Sequence, residues 1–169
     1  YALDLIHYCD TMNMPGLMTF ADAEKAFDLV QHDYLIRVMT HMRIPAAFIG
    51  LFTCLLANAC TRVKINGYLG RPVRLRNGVR QGDPCAALAF IISVQPLLSL
   101  FTVCSRAPRP IPGPDGLIHM VHLRGIPIPS TCGTSATVRI VAAMADDIML
   151  ALRDTHQLPG AKLILSVHE

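Results

Sequence analysis

Two aspartates stand side by side, Asp146 and Asp147, in a stretch otherwise as apolar as Ala142, Ala143, Met144, Ile148, Met149 and Leu150. Adjacent carboxylates in such surroundings repel each other and lose hydration unless a cation compensates them. The flanking runs, Thr137 to Met144 and Ile148 to Leu152, read as strands around a tight corner at Ala145 to Asp147. A hard divalent ion with oxygen ligands is the natural compensation.

A third carboxylate, Asp22, also closes an apolar strand, Leu17 to Ala21. Magnesium usually takes one or two carboxylates together with substrate phosphates, and a two-metal site clamps both oxygens of an in-line phosphoryl displacement. Taken alone, an Asp-Asp pair in a turn is more often a solvated corner than a catalytic centre.

The rest of the chain reads as helices and short strands. A helix over Tyr1 to Met14 stops at Pro15-Gly16, and a second helical pattern runs through Val30, Leu35, Val38, Met39 and Met42. After Ile44-Pro45 an apolar helix follows toward Ala59. Thr61 to Leu75 alternates apolar and basic residues about Asn66-Gly67, which predicts a hairpin with Arg62 and Lys64 on one face and Val63 and Ile65 on the other. Asp83-Pro84 has the form of an N-cap and first turn, so a buried helix is expected from Pro84 toward Phe101. Six of the twelve prolines crowd into Pro108 to Pro129, and residues 105–135 are expected to be an irregular connection.

At 169 residues the chain suits one domain over 1–169. Apolar residues make up 52% and charged ones 16%, so much of the chain expects burial. Two charge-free stretches, Ile44 to Cys60 and Cys85 to Cys104, read as buried helices, with a small membrane protein as the alternative of another class. The six cysteines form no CxxC pair, which fits a reducing, intracellular compartment. His119, His122 and Cys132 lack a fourth ligand at zinc spacing. The chain opens at Tyr1 without a targeting pattern and reads as a piece of something longer.

Charge is unevenly spread. From Tyr34 to Gly82 there is no Asp or Glu, while Arg37, Arg43, Arg62, Lys64, Arg71, Arg74, Arg76 and Arg80 all fall there. One-signed segments of this kind face phosphate backbones or, more plainly, solvent.

Three runs carry a resemblance. Phe20-Ala21-Asp22-Ala23-Glu24-Lys25-Ala26-Phe27-Asp28 resembles the first palm motif of non-LTR (LINE-like) retrotransposon reverse transcriptases; Asn77 to Pro84, with Gln81-Gly82-Asp83-Pro84, resembles the second, and Met144-Ala145-Asp146-Asp147 the third. They occur in the family's order and cover roughly residues 16–152. The resemblance implies an α+β fold: a polymerase palm with an antiparallel sheet and helices packed on one face. It implies an RNA-directed DNA polymerase using two Mg2+ ions, or Mn2+, on an RNA template, a DNA primer and deoxynucleoside triphosphates. Asp22 and Asp146 are then the principal catalytic metal ligands and Asp147 the lesser third, with the Ala23 backbone also at the metal site, beside the incoming triphosphate. Phe27 matches the gate under the sugar that excludes a 2′-hydroxyl, and Gln81 and Gly82 match the turn beside the nascent base pair. Arg62, Lys64 and Arg80 are candidates for backbone phosphates. A nuclear site of action, no membrane, and a polyprotein context with fingers, thumb and endonuclease follow from the same likeness.

The sequence also departs from the pattern. Met144 stands where the family has Tyr or Phe, and Cys85-Ala86-Ala87 replaces its usual residues. Gly160-Ala161-Lys162-Leu163 resembles the start of the fourth motif, with Lys162 as proton donor to pyrophosphate, but 153–169 reads as a shortened remnant. With fingers and thumb expected outside the chain, the isolated chain is expected to bind Mg2+ or Mn2+ without extending a primer; a decayed, inactive copy is the competing reading.

Overall fold

Local chemistry sets the element boundaries in the computed structural model, which describes residues 2–22, 25–80, 82–128, 137–139, 141–144 and 147–166. The elements are α1 (Ala2–Thr11), β1 (Leu17–Asp22), α2 (Ala26–Leu29), α3 (His32–His41), α4 (Ala46–Ala57), β2 (Cys60–Thr61), β3 (Lys64–Ile65), β4 (Tyr68–Leu69), β5 (Val73–Arg74), α5 (Pro84–Arg106), β6 (Arg109–Pro112), β7 (Ile118–Val121), β8 (Ile126–Ile128), β9 (Thr137–Arg139), β10 (Val141–Met144), β11 (Asp147–Leu152) and α6 (Leu158–Ser166). A 3-10 turn at Thr155–Gln157 precedes α6. The chain divides into two units, Tyr1–Asp22 with Leu97–Glu169, and Ala23–Pro96.

In the first unit, β11 is the centre of a three-stranded antiparallel sheet ordered β1-β11-β10. Residues of both parities along β11 are buried: Met149 and Ala151 on one face, Ile148, Leu150 and Leu152 on the other. Met149 and Ala151 pack with Leu5, Tyr8 and Cys9 of α1, Met18 of β1 and Ile126 of β8. The central strand β11 is therefore covered on both faces. The cause is visible in the sequence, where Ile148 to Leu152 is a continuous apolar run without the alternation of a half-solvated strand.

The proline-rich segment departs further from expectation. Instead of an irregular connection, β6 and β7 form a hairpin in the register Arg109↔Val121 to Pro112↔Ile118, and β8 pairs with β9. The Gly113 N–H donates to the Leu117 carbonyl at 2.7 Å, so Gly113 and Leu117 make a hydrogen-bonded pair. By alternation Ile111 and His119 make the next one, and Pro110 and Pro112 fall at the non-hydrogen-bonded pairs, where a missing N–H costs nothing. The run Thr137 to Met144, expected as one strand, is divided between β9 and β10 in different sheets.

In the second unit, Leu35 and Met39 of α3 and Phe52 of α4 are almost fully buried. Asn66 and Gly67 both take positive φ, 48° and 88°, the conformation that joins β3 to β4 by a two-residue turn. The Asp83 carboxylate accepts the Cys85 N–H at 2.8 Å, which caps the start of α5. By length and composition α5 could cross a membrane; Ala86, Ala89, Phe90, Ile92, Ser93, Val94, Leu97, Phe101 and Cys104 along it are buried within the protein.

Candidate active site

The β1/β11 ladder pairs Leu17 with Leu152 at one end and Asp22 with Asp147 at the other. Two acidic residues separated by most of the chain thus meet at one register position. By the alternation of a strand, Asp22 shares the face of β1 that carries Met18 and Phe20. The burial ends toward the acids: Phe20 is 68% exposed, and Asp22 is exposed as well. Asp146 and Ala23 lie outside the described residues. Among the described residues no group of three His, Cys, Asp or Glu gathers closely enough to hold a metal ion.

Other site residues predicted from the sequence lie in the second unit. Phe27 is half-buried, with its ring 5.0 Å from that of Phe90 and tilted by 36°. Its carbonyl accepts the Val79 N–H at 2.8 Å, and Val30 does the same for Gly78. His32 Nε2 hydrogen-bonds the Gly78 carbonyl at 2.8 Å. Residues of the first and second motif are thereby stitched together around Gly78, whose φ is +84° and whose Cα lies so near the Asp28 backbone that a Cβ would come within 2.8 Å of its oxygen. Gly82 has φ +86° with open space around it. Gln81 lies outside the described residues.

The basic candidates are exposed. Arg62 and Lys64 face solvent, and the Arg80 guanidinium donates to the Cys60 carbonyl at 3.3 Å. Lys162 is exposed on α6 in the first unit, where Ala161 and Ile164 supply the buried face. Among the described residues, nothing joins it to Asp22.

The family model described as reverse transcriptase (RNA-dependent DNA polymerase) matches residues 2–167. The chain belongs to the reverse transcriptase family. It is 34% identical over 97 residues to the transposon TX1 uncharacterized 149 kDa protein of Xenopus laevis, covering 57% of this chain. It is 29% identical over 98 residues to a Pol polyprotein from type-1 retrotransposable element R2 of Popillia japonica, covering 56% of this chain, and 32% identical over 80 residues to its counterpart from Nasonia vitripennis, covering 47%. The matched stretches span 7%, 16% and 8% of those proteins' own lengths. This is a reverse transcriptase domain of the non-LTR retrotransposon type, and its mixed helix and sheet content is consistent with that family. Reverse transcriptases generally use divalent metal ions.

Sequence reasoning passed over one feature of this reverse transcriptase domain. At the other end of the β1/β11 ladder a cleft is lined by Pro15, Leu17, Arg124 and Arg153 to Gln157. No spacing signal in the sequence links Arg124 to Arg153; only the register and the fold bring them together.

Proposed function

We propose that the chain is the palm of an RNA-directed DNA polymerase, with Asp22, Asp146 and Asp147 as its divalent-metal site. The pairing of Asp22 with Asp147 at one register position supports this most. Like charges directly opposite on antiparallel strands destabilise the pair, and Asp146 adds a third acid beside them. A donor set of carboxylates alone suits a hard cation, so the residues present fit Mg2+, with Mn2+ as a substitute. When bound, two such ions neutralise the charge that develops on the attacking and leaving oxygens of a phosphoryl displacement.

The remaining roles fall to the chain's own groups. The Ala23 backbone lies beside the triphosphate, and Phe27, braced by Phe90, excludes a 2′-hydroxyl by its bulk. Gln81 and Gly82 adjoin the nascent base pair, where a glycine lets backbone and base approach closely. Arg62 and Arg80 by their guanidinium forks, and Lys64 as a point charge, hold template or primer phosphates. Lys162 donates a proton to the departing pyrophosphate. The substrates are an RNA template, a DNA primer 3′-hydroxyl and deoxynucleoside triphosphates, used in a polyprotein context at a nuclear target.

The test is RNA-templated extension of a DNA primer by the chain within its own reading frame, wild type beside Asp22→Asn and Asp146→Asn. Extension that requires Mg2+ or Mn2+ and disappears in both variants is expected. Equal extension by the variants would reject the assignment.

A further inference from the structure

The cleft at the foot of the sheet has a volume of about 580 Å³, within the range of sites that hold a nucleotide-sized ligand. It lies five register steps from the acid pair along β1 and β11, roughly 17 Å at the rise of an antiparallel strand. A group bound here is therefore not the one that reacts.

Its lining is positive and tied together by backbone bonds. The Arg153 N–H donates to the Arg124 carbonyl at 2.9 Å, and the Arg124 N–H donates to Gln157 Oε1 at 2.9 Å. Two arginines from distant parts of the chain are thus held as neighbours. Both are exposed, and among the described residues neither guanidinium has an acidic partner. Asp154 is the acid in the lining, and its carboxylate is engaged locally. It accepts the His156 N–H at 3.1 Å and the Thr155 hydroxyl at 3.4 Å, and those bonds hold it below the ordinary carboxylate value. Two cations against one locally occupied acid leave the cleft net positive. Guanidinium forks that lack a carboxylate partner are suited to phosphate oxygens, which they can bind bidentately.

We propose that this cleft is a second, non-catalytic site for a phosphate ester, with Arg124 and Arg153 as its anion-binding pair. The same chemistry serves a phosphate of a nucleic-acid strand or of a free nucleotide. That the site is non-catalytic rests on the acid pair being the reacting centre, whereas phosphate binding rests only on the residues at this end of the sheet.

The experiment is equilibrium binding to the purified chain, using a fluorescent single-stranded RNA dodecamer and, separately, ADP. Arg124→Gln/Arg153→Gln removes both charges while leaving the backbone bonds between the two positions available. Circular dichroism verifies its fold, and the single variants stand in if the double one does not fold. Loss of a charge-assisted phosphate contact weakens binding about tenfold for each arginine. For the RNA, the slope of log affinity on log salt becomes shallower by about 0.7 for each phosphate contact removed. Loss confined to the RNA assigns the site to a strand; loss of ADP binding assigns it to a free nucleotide. Unchanged binding of both probes in a folded variant, or no binding of either by the wild type, overturns the proposal.

Discussion

Asp22 and Asp147 are register partners at the last described pair of the β1/β11 ladder, although 124 positions separate them in the sequence. Nothing local to either residue creates this proximity. It follows from pairing an apolar strand that ends in an acid with a second apolar strand that begins with one.

Divalent ions should stabilise the chain through that pair. A ligand that binds only the folded state contributes about 2.7 kcal/mol at a hundredfold excess over its Kd. Thermal melts of the wild type should rise with Mn2+, while Asp22→Asn should respond far less. An identical rise in both would place the ion elsewhere.

Phe27→Ala should act in two measurable ways. Removing a half-buried ring that packs against Phe90 should cost about 1–3 kcal/mol in denaturant melts, below the range for a fully buried phenylalanine. In primer extension the same change should raise ribonucleotide incorporation. A stability loss with unchanged sugar selectivity would reduce Phe27 to a packing residue.

Gly78→Ala tests the join between the two motif segments. The new Cβ would meet the Asp28 backbone at 2.8 Å, and φ +84° is a conformation that side chains rarely adopt. Both effects act against the folded state, so a loss of about 2 kcal/mol or more is expected. Gly82→Ala has comparable strain at φ +86° but open space, and should cost about 1 kcal/mol. Equal losses in chemical denaturation would mean that the crowding at Asp28 is relieved.

Features with a short-range cause were legible in the sequence. Asn66-Gly67 takes its turn because both residues tolerate positive φ, and Asp83 caps α5 with its own side chain. The strand ending at Asp22 and the strand beginning beside Asp147 were likewise readable from apolar runs. Pro110 and Pro112 were misleading because a proline's effect on a strand depends on which pairs are hydrogen-bonded, and that is fixed by the partner strand. The continuous run Ile148 to Leu152 carried the signal for burial on both faces of its strand. The arginine cleft was illegible for a third reason: Arg124 and Arg153 meet only through a tertiary hydrogen bond.

The β6/β7 hairpin should loosen in acid. Asp115 hydrogen-bonds His119 Nε2 at 3.1 Å and accepts the Leu117 N–H at 3.1 Å. The bond to His119 and then that to Leu117 hold its carboxyl below the ordinary 3.8. A carboxyl whose value is depressed by folding contributes its stability above the unfolded value and loses it as pH falls through the folded one. The change should therefore lie below pH 3.8, with the hairpin intact at neutral pH. Amide resonances of Gly113, Leu117 and His119 followed from pH 6 downward provide the measurement, since Gly113 N–H bonds the Leu117 carbonyl in the same turn. Asp115→Asn keeps an oxygen acceptor for Leu117 but removes the titration, so its resonances should stay flat over that window. A matching transition in Asp115→Asn would assign the acid response to another group.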